Sequence, residues 1–193
     1  MRRLCLAFFV LLLAAAGHVS PARAVVPIGD DGLHKPTWLQ NTFLDLRDDL
    51  AEANAQHKRL MIIVEQRGCI YCKKMHEEIF PTPAIDKIIR DTYFVDQLNL
   101  WGDRQVTDFD GKVLPEKEMA VRWNVVFTPT MIFLPEEVPA GKMASQAAVM
   151  MMPGAFGKQT TLAMFTYIRD RVYLDGQRFQ SYFAKHFQMD KSN

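Results

Sequence analysis

Two cysteines, Cys69 and Cys72, stand three positions apart with Ile70 and Tyr71 between them. A bridge at this spacing closes too short a loop to staple a fold, so the pair is there for chemistry. Thiol–disulfide exchange needs a thiolate, so one of the two must ionise near neutral pH. The apolar run Arg59–Glu65 (RLMIIVE) reads as a strand, and Lys73–Phe80 reads as a helix. Cys69 therefore falls at a helix start, where unpaired N–H groups and the positive dipole end would face its sulfur. Cys72 lies one turn in, close enough to attack a mixed disulfide. This makes Cys69 the nucleophile and Cys72 the resolving thiol. A zinc half-site and an inert thiol pair are the alternatives. A closed zinc site takes four ligands, and only His57 and His76 are remotely placed to add two. No metal is expected.

Other residues carry a functional and a plainer reading. Glu65 ends the strand leading to the cysteines. It is a candidate to exchange a proton with Cys72, although a solvent-facing charge at a strand end is the favoured reading. His76, one turn after Cys72, is expected at the surface. Lys73 and Lys74 add positive charge near the motif or point to solvent. Met150-Met151-Met152 would suit a soft metal, but packing into a core is preferred. Trp101 and Trp123 are read as core or rim packing.

The elements around these residues follow from pattern. Residues 25–40 contain Pro27, Gly29, Gly32 and Pro36 and read as an extended lead-in. An amphipathic helix is expected over 42–57. Beyond the motif helix, Pro81 and Pro83 break the chain and 84–90 resumes a helix. A second strand is expected over 93–100, a hairpin or insertion over 101–113, and a helix over 116–123 opened by Pro115. Residues 125–134 (VVFTPTMIFL) read as a third strand with Pro129 near its start, which implies an edge, a bulge or a cis turn. A fourth strand over 147–152 and helices over 160–174 and 178–187 complete the chain. Strands alternating with helices make this an α/β protein with a parallel core. The final strand pair adds antiparallel pairing.

Cys69-Ile70-Tyr71-Cys72 at a strand-to-helix junction, with Thr128-Pro129-Thr130 before an apolar strand about 57 residues on, resembles the thioredoxin superfamily over roughly residues 40–175. The resemblance implies a thioredoxin fold: a central mixed β-sheet flanked by helices, here with an N-terminal extension and C-terminal helices. It implies a cis bond before Pro129 and a substrate-binding place formed by Tyr71, Thr128 and Pro129. Pro153-Gly154 resembles the family's glycine turn near the active site. The chain departs from the family at Ile63, six residues before Cys69, where thioredoxins carry a buried aspartate. The octet Glu65–Cys72, then Met75-His76, and the ending Tyr167-Ile168, Tyr173 and Phe179-Gln180-Ser181-Tyr182 resemble the periplasmic SoxW-type thioredoxins. That group is associated with sulfur oxidation and thiol reduction.

The 193 residues are 49% apolar and 23% charged with a formal charge of +1, which excludes disorder and any strong field for nucleic acid. Arg2-Arg3, an apolar run over 4–16 and Ala22-Arg23-Ala24 read as a secretory signal peptide over 1–24, leaving a thioredoxin-like domain over 25–193. The run of about 13 residues is shorter than the ~20 a membrane span needs, so an uncleaved anchor is the lesser reading. Removal takes three of the 23 bases and none of the 22 acids, so the mature charge is −2. It also removes Cys5, leaving Cys69 and Cys72 as the only cysteines. The expected location is the periplasm.

Ile70-Tyr71 supplies no cation to favour the thiolate, so a protein-disulfide reductase is expected over a disulfide-forming oxidase. A peptide-binding module or holdase on the same fold is the alternative outside catalysis. No motif for NADPH or flavin is present and no cofactor is expected. The resemblance implies electrons from a membrane thiol transporter of the CcdA or DsbD type. It also implies a protein disulfide substrate, such as a Sox carrier or an apocytochrome.

Overall fold

A computed structural model describes residues 26–187. The signal-peptide reading and the cleavage at Ala24 lie outside the described residues.

The lead-in, expected to be extended, instead folds back in a tight turn: Ile28 bridges His34 antiparallel and Gly32 N–H donates to the Gly29 carbonyl, and the segment is anchored by the Leu39 bridge to Val95 and by buried Leu33 and Trp38. Helix α1 (Leu46–Ala55) starts at Asp45, whose side chain accepts from Arg47 N–H. It is shorter than the expected 42–57. Leu44 sits at φ +59°, a left-handed conformation that no helix continues through, and Phe43 before it is fully exposed. Strand β1 (Arg59–Glu65) is buried at every residue, as its two-sided apolar pattern requires. Helix α2 (Ile70–Lys74) runs into a π-helical turn, Met75–Ile79, in which Phe80 N–H reaches back to the Met75 carbonyl. Helix α3 (Pro83–Thr92) opens with proline in its first turn and feeds β2 (Tyr93–Asn99).

The expected insertion is a small hairpin, β3 (Gln105–Thr107) and β4 (Val113–Pro115). Helix α4 (Glu116–Arg122) follows. Strand β5 (Thr130–Phe133) begins only after Pro129, so the strand expected from 125 is shorter, with Val126 and Phe127 exposed in the approaching loop. Proline has no N–H to give a ladder. A helical turn α5 (Ala144–Ala147) occupies the start of the expected fourth strand, and β6 is Met150–Pro153. The long helix splits into α6 (Lys158–Arg169) and a 3₁₀ turn (Val172–Asp175), because Arg171 turns left-handed at φ +54°. Helix α7 (Phe179–His186) closes the described chain.

The main sheet has the order β2-β1-β5-β6. β1 pairs in parallel with β2 from Arg59–Tyr93 to Glu65–Asn99, and antiparallel with β5; β5 pairs antiparallel with β6. Alternation along β1 divides the core. Met61 and Ile63 pack with Trp38, Phe80, Phe133 and Phe165 on one face. Leu60, Ile62 and Val64 pack with Leu46, Phe94 and Trp123 on the other. Each fully buried side chain of this size is worth about 1.5–3 kcal/mol. Asp108 fastens the second face: its buried carboxylate accepts from Trp123 Nε1 (2.7 Å), Arg122 Nη1 (2.5 Å), Phe109 N (2.8 Å) and Ala144 N (2.8 Å). The two faces fix the end of β1, and with it the cysteines, between α2 and the loop before β5. Only the β1–β2 pairing is parallel, so the parallel core expected from alternation is corrected to a mixed sheet, the one the resemblance to a thioredoxin fold implied.

Candidate active site

The chain leaves β1 through Gly68, whose φ of +72° favours glycine. Cys69 then caps α2 in an extended conformation, and its Sγ accepts the Cys72 backbone N–H at 3.0 Å. Cys69 and Cys72 form a disulfide. The two sulfurs differ in access: Cys69 is half-buried and Cys72 only 2% exposed. Ile70 and Tyr71 stand exposed between them, and Lys73 and Lys74 are exposed as well.

The loop before β5 faces the same sulfur. The Thr128–Pro129 peptide is cis, as the resemblance implied. Thr128 Oγ1 lies 3.4 Å from Cys69 Sγ, and the Thr128 carbonyl oxygen lies 3.5 Å from it. Thr130 Oγ1 donates to the Phe127 carbonyl at 2.7 Å, and Gly154 N–H donates to the Pro129 carbonyl at 2.6 Å. Gly154 needs its freedom here, with φ at +91°. Tyr71, Thr128 and Pro129 thus share the neighbourhood of Cys69.

Two plainer expectations are corrected. Glu65 is 1% exposed and His76 is 1% exposed, so neither faces solvent. Glu65 shares the face of β1 that carries Met61 and Ile63, and the helix after the motif lays His76 over it. His76 Nε2 sits 2.9 and 3.0 Å from the two Glu65 oxygens. A carboxylate only accepts, so Nε2 carries the proton. His76 Nδ1 is buried and makes no hydrogen bond among the described residues. Gln97 Nε2 donates to Glu65 Oε2 at 2.7 Å and to the His34 carbonyl at 2.9 Å, while Lys35 Nζ donates to Gln97 Oε1 at 2.7 Å. The His34 ring stacks on His76 with centroids 4.7 Å apart. Burial, and next the neighbouring His76, hold His34 below the ordinary histidine range. Glu65, His34, Cys69 and Cys72 line one cavity of about 210 Å³, with Lys73 and Glu77 on its walls. Sequence pattern had no means of finding Gln97 or His34, since their parts come from pairing distant segments.

The remaining candidates lie apart or in the core. His57 is in an exposed turn after α1. Met152 is buried, while Met150 and Met151 are half-buried. Among the described residues no cluster of three or more His, Cys, Asp or Glu is placed to hold a metal. Trp123 is core and Trp101 is rim, 68% exposed with its indole on Gln66. On the opposite face Asp96 and Asp49 form a buried carboxyl pair. Burial, and next the Asp49 charge, push Asp96 well above the usual carboxylate range, and burial pushes Asp49 up to about 6.

Among known proteins, the profile of a family described as a thioredoxin-like domain matches residues 46–168. No curated protein sequence is matched. Solved structures similar to this chain include a thioredoxin-fold protein from Helicobacter pylori, 16% identical, covering 67% of this chain and 80% of its own at a TM-score of 0.53. Another is a thioredoxin from Thermus thermophilus, 21% identical, covering 76% of this chain and 95% of its own at a TM-score of 0.46. At 16% identity the likeness to the first is one of fold.

Proposed function

The chain belongs to the thioredoxin-like domain family, and from that membership we propose that it is a thiol–disulfide oxidoreductase that reduces protein disulfides. The supporting observation is the asymmetry of the pair: a half-buried Cys69 facing Thr128 with its sulfur on the Cys72 N–H, and a Cys72 buried behind it. The reachable sulfur is the one whose negative charge a backbone N–H stabilises.

In the reduced protein the Cys69 thiolate attacks one sulfur of the substrate disulfide. The substrate S–S bond breaks, a Cys69–substrate bond forms, and the released substrate thiolate takes up a proton. Cys72 gives its proton into the shared cavity, where Glu65 is the base, and attacks Cys69 Sγ. The mixed disulfide breaks, the second substrate thiolate is released and protonated, and Cys69–Cys72 is left oxidised. Two electrons and two protons pass to the substrate. Tyr71, Thr128 and Pro129 frame the place where an extended substrate lies beside Cys69.

The setting is the periplasm, after removal of residues 1–24, and the role is that of a SoxW-type thioredoxin acting on sulfur-oxidation proteins. Recharging comes from a membrane thiol transporter of the CcdA or DsbD type. Support for these points is the sequence resemblance and the leader pattern. The test is a trap. A Cys72→Ser chain exposed to periplasmic extract should accumulate mixed disulfides through Cys69. Loss of trapping in Cys69→Ser is expected, and trapping that persists there would overturn the assignment.

A further inference from the structure

Glu65 is followed by Gln66, a half-buried residue at the start of the turn to Cys69. Its side-chain oxygen accepts from Trp101 Nε1 at 2.8 Å, and its side-chain nitrogen donates to Thr128 Oγ1 at 2.9 Å. The same Thr128 oxygen lies 3.4 Å from Cys69 Sγ. The chemistry of the three groups gives this line a single direction. An indole N–H donates and never accepts, so the amide must turn its oxygen to Trp101. Its NH₂ is then forced towards Thr128, and the hydroxyl must accept. The Thr128 hydroxyl keeps one proton of its own, and Cys69 Sγ lies within reach of it. Donors aligned head to tail polarise one another, which strengthens the last bond in the line.

We infer that Trp101 and Gln66 are positioning residues that turn the Thr128 O–H onto Cys69 and so hold the reduced sulfur as a thiolate. The inference rests on the reading above, in which Cys69 is the attacking thiol. A donor bonds more strongly to an anion than to a neutral sulfur, so the relay favours ionisation. It joins the Cys72 N–H as a second donor, approaching from the loop before β5 instead of from α2. Trp101 acts with no contact to the sulfur, 68% exposed on the rim. The titratable groups sharing a cavity with Cys69 are Cys72 and Lys73 on α2, Glu77 on the π turn, Glu65 on β1 and His34 from the lead-in. Substitution at Gln66 or Trp101 changes the charge of none of them.

The experiment is a pH titration of thiolate absorbance in the reduced full chain. It compares wild type, Gln66→Met, Thr128→Val, the double variant and Trp101→Phe, each checked for folding by circular dichroism. Gln66→Met and Thr128→Val should each move half-ionisation of Cys69 up by about half to one pH unit, a three- to tenfold loss of thiolate at a fixed lower pH. Trp101→Phe should move it in the same direction by less. The double variant should move it no further than Thr128→Val alone, because Gln66 acts through that hydroxyl. A folded Gln66→Met chain that titrates as wild type overturns the relay, as does a double variant whose shift is the sum of the singles. Should Gln66→Met fail to fold, Trp101→Phe at its exposed site decides, and an unmoved titration there overturns the relay. A role confined to structure would lower the melting temperature and leave the titration in place. Turnover is measured separately on wild type. A chain that reduces no protein disulfide sinks the functional reading, while the titration still decides the relay.

Discussion

Replacing Glu65 by glutamine tests the base role proposed for this buried carboxylate at constant shape. The carboxylate now accepts from His76 Nε2 and from Gln97 Nε2. Glutamine offers one oxygen and one NH₂, so one of the two donors meets another donor. Gln97 cannot turn over, because Lys35 holds its oxygen and the His34 carbonyl holds its nitrogen. His76 can adjust by moving its proton to Nδ1 and accepting at Nε2. That leaves an N–H at Nδ1, where the ring has no partner among the described residues. One buried unsatisfied donor costs about 1–3 kcal/mol. Glu65→Ala leaves both donors stranded beside a cavity and should cost about 2–6 kcal/mol, about 1–3 for each. Glu65→Gln should therefore stay folded and keep its disulfide, but lack the carboxylate proposed to take the Cys72 proton. Loss of general base catalysis is worth about 10²–10⁴ in rate. The affected step is release of the mixed disulfide, which should persist longer in quenched-flow trapping while its formation is unchanged. Urea unfolding supplies the stability arm. A folded Glu65→Gln chain that releases the mixed disulfide at the wild-type rate across neutral pH would refute the role given to Glu65.

Further outcomes follow from other parts of the molecule. Asp96 and Asp49 are both raised above their ordinary values by burial, so the folded chain holds a proton that the unfolded chain gives up. For Asp49 that stability is complete below about pH 4 and is lost as pH rises through about 6, and for Asp96, raised well above its ordinary value, the loss extends higher, at up to about 1.4 kcal/mol per pH unit for each proton. Asp96→Asn should flatten the fall in urea midpoint between pH 5 and pH 7, and an unchanged fall would rule the pair out as its source. Asp108→Ala strips the acceptor from Trp123, Arg122 and Ala144 and should lower stability by about 3–5 kcal/mol in denaturant unfolding. A loss under about 1 kcal/mol would show that the site relaxes around the change. N-terminal sequencing of protein recovered from the periplasm should begin at Val25, and a start at Met1 would refute the cleavage.

The elements that were legible are those whose pattern is local. RLMIIVE has no polar residue inside it, so a strand covered on both faces was its natural reading, and the cysteines followed at its end. Thr128-Pro129 was legible through its resemblance, and the structure brings it to Cys69. The misplaced boundaries have local causes that hydrophobic pattern does not encode. Leu44 turns left-handed before α1, and Pro129 delays β5 within a continuous apolar run. Glu65 and His76 were misjudged for a different reason. A charge beside a turn is normally hydrated, and what buries Glu65 comes from elsewhere: His76 after the motif, Gln97 on β2 and the lead-in over 26–40. That lead-in has no period to read, because it is held by single bridges and by Leu33 and Trp38. Gln66 was legible in the sequence only as one letter of the octet that carried the resemblance; its hydrogen-bonding part depends on Trp101 and Thr128 meeting it from two other loops.

The reduction potential of the Cys69–Cys72 couple tests the functional account most directly. Full chain is equilibrated in thiol–disulfide buffers of graded poise, and its oxidised fraction is read by alkylation of free thiols. A reductase with no cation between its cysteines should titrate as a two-electron couple near −270 mV. A value near −120 mV would make the protein an oxidant and contradict the proposed direction, and a pair that does not exchange with the buffer at all would contradict the chemistry itself.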